Sequence, residues 1–239
     1  ILFILSMLVA CDPNKQYSKT QESVVASLKE QAPAIISIKR NWQQIKKYGA
    51  IRALKLEWEE ENALPRSGAS SLYHLELFKQ FALQNKLVIE WVKVKNLSQM
   101  FSYLADNKAD IIPRHLTVTA KRQTEMLFTH ALIKDEEVLI AKNLPKDKKR
   151  LINLTENEIT ISVPENTAYI DSIKKQYPKW KIDLLSTDLN AEKIADALLG
   201  GSIQYSVLDG DSANTLLNYY DELEVVLKFP QKIQLAWAL

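Results

Sequence analysis

Cysteine, histidine and glycine are scarce in this 239-residue chain, and each scarcity removes a class of function. A single cysteine, Cys11, leaves no intrachain disulfide, and with only three histidines beside it a Cys/His zinc site is not expected. Five glycines, at 49, 68, 200, 201 and 210, spell neither a Walker loop nor a GxGxxG turn, which excludes the nucleotide folds built on those loops. An excess of one charge is missing too: 31 Lys plus Arg face 29 Asp plus Glu, a net charge of +2. Nucleic-acid binding needs a concentrated basic surface, so no nucleic-acid partner is expected. Neither a metal nor a cofactor is called for by any motif. The apolar run at residues 1–10, ILFILSMLVA, is half the roughly twenty residues that cross a bilayer. What remains is ordinary globular composition, 46% hydrophobic and 25% charged, in a chain long enough for one large domain or two lobes.

The apolar run fits the ~7–15-residue core of a secretory signal. It ends in Leu8-Val9-Ala10-Cys11, which resembles the bacterial lipobox, whose cysteine is lipidated and becomes the mature N-terminus. The alternative is a buried helix with a core cysteine. An initiator Met and a basic leader are missing, so a few residues are expected in front. Each buried methylene contributes ~0.8 kcal/mol, so two or more acyl chains on Cys11 would anchor the protein durably. Asp12 resembles an inner-membrane retention signal. The expectation is an exported protein facing the periplasm, lipid-anchored to the inner or outer membrane.

Residues 1–11 are read as the lipoprotein signal and 12–50 as a helical tether. In the tether, Val24, Val25 and Leu28 share one helical face, Pro33 interrupts, and Ile35, Ile38, Trp42 and Ile45 form a second stripe ending at Gly49. Beyond it, strand patterns at 52–58, 87–94, 109–112 and 138–141 alternate with helices at 72–84 and 97–106. A second set follows: strands at 159–163, 180–185, 205–208 and 223–229, with helices at 167–177, 191–199 and 211–220. Strands separated by helical runs argue parallel βαβ units, and two successive sets argue two lobes. Lobe 1 is assigned 51–140 plus 232–239 and lobe 2 is assigned 141–231, so the chain would cross between them near 140–142 and 229–232.

Residues 97–140 carry a family resemblance. Asn107-Lys108-Ala109-Asp110 leading into a strand, then Thr117-Val118-Thr119-Ala120-Lys121-Arg122, then Phe128-Thr129, resembles a block of type II periplasmic solute-binding proteins. In that family the pieces read Gly-x-x-Asp, Thr-x-Thr-x-x-Arg and Phe-Ser. Residues 45–239 resemble more closely the N-terminal module of the membrane-bound lytic murein transglycosylase F family. The matching pieces are Ile45-Lys46-Lys47-Tyr48-Gly49-Ala50-Ile51-Arg52, Glu76-Leu77-Phe78-Lys79-Gln80-Phe81-Ala82 and Leu235-Ala236-Trp237-Ala238. The resemblance implies an α/β two-lobed clamshell, each lobe a βαβ sheet with helices on both faces, closing over a small-molecule or peptide ligand. That ligand would be an amino acid or a muropeptide.

The guanidinium of Arg122 matches a carboxylate bidentately. By the resemblance it clamps a ligand α-carboxylate, with Thr117 adding a hydroxyl bond; the alternative is a surface salt bridge. Asp209 ends a strand, where open α/β sheets bind ligands, and the family uses an acid there for the ligand amine. The alternative is a helix N-cap. Glu59 fills the family's acidic position after the first strand, within a run of three glutamates. Thr167 follows Asn166 at a helix start, where free N–H groups receive anions. Arg114 and His115 replace small residues of the family. An arginine facing a ligand ammonium at 4 Å would cost on the order of 4 kcal/mol, which favours an anionic or larger ligand unless Arg114 turns away.

Two functions fit. One is the binding and regulatory module of a murein-degrading lipoprotein, with a transglycosylase domain following residue 239. The other is a free-standing solute-binding lipoprotein serving an ABC transporter or a sensor. The chain itself carries no transglycosylase motif, so no catalytic residue is assigned.

Overall fold

The computed structural model describes residues 37–59, 69–143, 154–155, 157–186 and 189–239. Cys11 and most of the tether lie outside these residues. From Ser37 onward the chain is one compact unit, so the tether assigned to 12–50 overlaps it.

Helix α1 (Trp42–Tyr48) starts later than the Ile35-to-Ile45 stripe suggests. The Asn41 side chain accepts from the Gln44 N–H and the Gln44 side chain from that of Asn41, a reciprocal cap that fixes the first turn. Ile38 is left 54% exposed, and among the described residues of that stripe only Ile45 is buried. Gly49, at φ 81, closes the helix by donating to the Ile45 carbonyl, a conformation that suits glycine. Strand β1 (Ala50–Leu56) then pairs in parallel with β2 (Val88–Val94), the two joined through α2 (Ala69–Gln84). Next come α3 (Leu97–Ala105), β3 (Ile112–Thr117), α4 (Ala120–Glu125) and β4 (Ile133–Lys142). The second set is β5 (Thr160–Pro164), α5 (Tyr169–Gln176), β6 (Lys181–Leu185), α6 (Ala191–Leu199), β7 (Tyr205–Asp209), α7 (Gly210–Leu217) and β8 (Leu223–Ala238). Strands β5 and β6 are again parallel, as a βαβ unit requires.

Packing is partitioned. Two buried clusters draw on residues from 45–116 with Trp237 and Ala238; two others draw on residues from 138–229. Joining them is one antiparallel sheet of order β3-β8-β4-β7, in which β8 pairs with both β3 and β4. The sequence pattern suggested separate sheets, with a strand ending at 229 and another beginning near 232. Instead β8 continues through Pro230. The proline sits exposed in a register irregularity, between Lys228 opposite Val138 and Lys232 opposite Glu136, where a missing N–H breaks no regular ladder bond. Glu136 binds both lysines and so pins the irregularity.

Two further elements differ from the sequence pattern. The strand expected at 109–112 begins at Ile112 and reaches Thr117, while Ile111 makes only a parallel bridge to Ala53. Pro113 and a register shift between Ile112 and Leu116 hid its period. Helix α4 had no expected counterpart; the Thr119 hydroxyl caps it by accepting from the Arg122 N–H at 3.2 Å.

The aspartate of the Gly-x-x-Asp resemblance is structural. Asp110, its side chain 2% exposed, accepts from the Arg52 backbone N–H at 2.8 Å and from Arg52 Nη2 at 2.8 Å, and it pairs with Arg40. Asn107 stands where the family has glycine and takes φ 55, a left-handed conformation that asparagine tolerates best among non-glycine residues. Burial alone would raise the Asp110 pKa, but the hydrogen bonds from Arg52 and Arg40 outweigh it and hold the group below its ordinary 3.8. Its contribution to stability is therefore complete above that value and lost as pH falls below it. Asp110→Ala removes the carboxylate shared by Arg40 and the buried Arg52 and should cost about 3–5 kcal/mol in urea unfolding, whereas Glu76→Ala, on an exposed helix pair, should change stability by less than about 0.5 kcal/mol.

Candidate functional site

The C-terminal ends of β1, β5 and β7, at Leu56, Pro164 and Asp209, meet around a cavity of ≈150 Å³. Its walls come from both packing groups: Trp58, His74, Arg114 and His115 on one side, Thr167, Tyr169, Asp209 and Asp211 on the other. Arg114 and His115 are consecutive in a strand and would normally face opposite ways. The register shift in β3 lets both reach the cavity.

Each charged wall residue has a distinct electrostatic situation. Arg114 forms an ion pair with Glu59, which is fully buried and also accepts from the Leu56 N–H at 2.7 Å. The same guanidinium lies 5.7 Å from the centre of the Trp58 ring. Burial pushes the Arg114 pKa down to about 10, with Tyr169 and Asp209 opposing the fall, so it stays charged at neutral pH. Its charge is answered inside the protein rather than aimed unpaired at a ligand. His115 packs against His74 and Tyr73. Burial, then the neighbouring Arg114, pushes the His115 pKa down to about 4; burial, then His115, depresses His74 further. Both rings are neutral under physiological conditions.

Across the cavity Asp209 sits at the N-cap position of α7, yet its side chain makes no cap bond. Burial, then Glu137 and Asp135, raises its pKa to about 7, and a hydrogen bond from Tyr169 opposes the rise. Thr167 spends its hydroxyl on the Pro164 carbonyl at 2.8 Å, and Ala168 rather than Asn166 or Thr167 holds the N-cap position of α5.

Arg122 and Thr117 stand outside these walls. The Arg122 Nη1 donates to the Thr117 carbonyl at 3.0 Å, and its Nη2 donates across to the Asn166 carbonyl at 3.1 Å. The guanidinium stacks 5.1 Å from the centre of the Phe101 ring. Asn166 also donates to Ser98 at 2.8 Å, so two bonds tie the segment after β5 to the first packing group. Asn166 adopts φ 61, which turns its carbonyl toward Arg122. In this arrangement the spacing Thr-x-Thr-x-x-Arg supplies a helix cap and a backbone tie. Trp58 and Tyr169 were not singled out from sequence, and Asn166 was named only as part of a helix start, not as a partner of Arg122. Only Asn166, beside Thr167 in a turn, carried a local signal.

The sequence model of bacterial extracellular solute-binding proteins, family 3, matches residues 73–198, more than half of the chain. The chain belongs to that family. Membrane-bound lytic murein transglycosylase F of Shewanella frigidimarina is similar to this family 3 chain at 23% identity over 168 residues, 70% of this chain and 35% of the relative. The protein of that name from Methylobacillus flagellatus is 27% identical over 161 residues, 63% and 32% of the two chains. The chain thus spans about a third of the length of these curated relatives. Among solved structures, the periplasmic VFT2 domain of Bordetella pertussis BvgS superposes with a TM-score of 0.66 at 16% identity, covering 82% of this chain and 83% of that one. The ancestral amino acid-binding protein AncCDT-1 gives 0.63 at 20% identity, covering 82% and 84%. These likenesses show the fold, a type II periplasmic binding protein clamshell. Among the described residues no helix is long and apolar enough to cross a membrane.

Arg122→Ala removes two charge-assisted bonds at a buried site and should lower stability by about 1.5–3 kcal/mol in urea unfolding. Arg122→Lys should recover only part of that loss, because a single ammonium does not reproduce the fork.

Proposed function

We propose that this family 3 chain is the ligand-binding, regulatory module of a membrane-tethered murein lytic transglycosylase, anchored through a lipid on Cys11. The transglycosylase chemistry would belong to sequence beyond residue 239, in keeping with the greater length of the relatives. One observation carries the binding role: strand ends from both packing groups meet at one cavity whose wall holds a buried, uncapped acid, Asp209. The division of lobes near 140–142 and 229–232 belongs to the same proposal, since β4 and β8 pass from one packing group to the other with shifts of register.

The charge balance speaks to ligand class. With Glu59 neutralising Arg114, the wall opposite Asp209 and Asp211 no longer repels an ammonium. A cavity of ≈150 Å³ holds a compact group, so a muropeptide would present one amine-bearing end and open the cleft for the rest. A ligand carboxylate would draw Arg122 from the Asn166 carbonyl, with Thr117 beside it, and the free N–H groups near Thr167 would face the same anion.

Calorimetric titration of the full chain with amino acids and with muropeptides tests this. Muropeptide binding that Asp209→Asn weakens ten- to a hundredfold is the expected result. Tight binding of a free amino acid with no response to muropeptides would favour the free-standing solute-binding lipoprotein, and no binding of either would refute a ligand site. For the anchor, Cys11→Ser should move the protein from the membrane to the soluble fraction of cells; unchanged retention would refute lipidation at that residue.

A further inference from the structure

Asp209 has a second acid behind it. In the antiparallel ladder between β4 and β7, the residue directly opposite Asp209 is Glu137. Directly opposed residues project from the same face of the sheet, with Cβ atoms about 4.5–5.5 Å apart. Glu137 is 1% exposed, and neither of its oxygens has a hydrogen-bond partner of good geometry; Oδ1 of Asp209 is in the same condition. Two carboxylates so placed in a dry site do not both ionise unless a cation joins them.

Among the described residues no lysine or arginine forms an ion pair with either carboxylate, and the charge of Arg122 acts on Asp209 only through space, opposing the rise of its pKa. Asp135, on β4, accepts from the backbone N–H groups of Glu136 at 2.7 Å and Asp211 at 3.1 Å, and adds a further carboxyl group beside the pair. Asp211, on α7, is raised by burial and then by Asp135. From α5, Tyr169 hydrogen-bonds Asp209, and Ser172 makes a loose hydrogen bond to Glu137, each opposing the rise of its partner's pKa. Of the two arginines in range, Arg122 on α4 is committed to backbone carbonyls and Arg114 on β3 to Glu59. On β8, Lys228 and Lys232 bind Glu136. Among the described residues, no three acids or histidines converge to hold a metal ion. A proton or an organic cation is left as the counterion.

We propose that Glu137 and Asp209 form a carboxyl dyad that holds one proton while the cleft is without ligand. The dyad releases that proton to bulk water when a ligand's ammonium or guanidinium group reaches Asp209. This rests on the reading of the cavity as a ligand site, and it deepens that reading: binding exchanges a proton for an organic cation. Asp209 lines the cavity and Glu137 lies behind it, so only one of the two would touch the ligand. Glu137 also falls between Glu136 and Val138, where the pairing of β4 with β8 changes register, so its charge state bears on the strands that join the two packing groups. Burial raises the Glu137 pKa to about 7, and burial with Glu137 raises that of Asp209 to about 7, which places the exchange near neutral pH. The two steps belong to the pair rather than to either residue.

Both values lie above the ordinary 4.5 and 3.8, so the dyad's contribution to stability is complete below about pH 4 and is lost as pH rises through about 7. Thermal unfolding of the full chain from pH 5 to 8.5 should therefore show Tm falling by roughly 5–10 °C up to about pH 7 and levelling above it. Glu137→Gln should remove at least half of that slope, and Asp209→Asn, at the edge of the cavity, should do likewise if the first variant does not fold. An unchanged slope in the variants overturns the dyad. Titrations with L-arginine and L-lysine at pH 7, in two buffers of different ionisation enthalpy, count protons directly. About one proton released per ligand by wild type and almost none by Glu137→Gln supports the exchange; binding by wild type without release overturns it. No binding of either probe overturns the exchange, while a Glu137-dependent Tm slope would still support the shared proton and muropeptide binding would still support the ligand site.

Discussion

The antiparallel pairing of β4 with β8 is the constraint on which the rest of the structure depends. Each packing group closes its own apolar core, and these two strands carry the chain from one to the other. A ladder that serves two cores has to change register between them, and it does so around Glu136–Val138 and Leu139–Ile140. The strand ends of both groups then converge beside the crossing, and with them the polar groups that neither core can hold. The cleft is a consequence of that geometry, not an addition to it.

Charge is handled locally at each of these buried points. Asp110 is met by Arg40 and Arg52, Glu59 meets Arg114, and Arg122 is satisfied by two carbonyls. Breaking any one of these leaves a charge that water does not reach, which is why single deletions there cost more than surface pairs do. Glu137 and Asp209 are the exception to this pattern. Acids without an ion-pair partner, one in the cavity wall and one behind it, destabilise the fold at neutral pH, and such violations concentrate where function is carried.

Much of the architecture was legible because it rests on local signals. Helix α6 follows from its apolar spacing and from Asn190, whose side chain accepts from the Lys193 N–H. Strands β1, β2, β5 and β6 follow from short apolar runs between helices. Longer-range facts were not legible. Pro230 reads as a strand break, and only the opposing strand shows that it occupies an irregularity. The positions of Arg114, His115, Thr167 and Asp209 could be named from motifs, and the structure brings them to one cavity, where their binding roles are our proposal. The Arg122 tie depends on the left-handed turn at Asn166, and nothing local pairs the carbonyl of that turn with an arginine 44 residues away. Glu137 lies in phase with the buried Leu139 and Ala141, a period of two that pointed inward. Val138 and Ile140 are buried as well, so the period does not tell the faces apart.

The central claim is that a cation-bearing ligand binds between the two packing groups at Asp209. The most direct test is a thermal-shift series on the full chain and on Asp209→Asn, with zwitterionic and cationic amino acids and muropeptides at pH 7. A ligand present at a hundredfold its Kd stabilises by about 2.7 kcal/mol, or roughly 5–10 °C in a protein of this size. The account predicts such a shift in the wild type from at least one amine-bearing compound and little or none in Asp209→Asn. Equal shifts in both proteins, or none from any compound in the wild type, would contradict it.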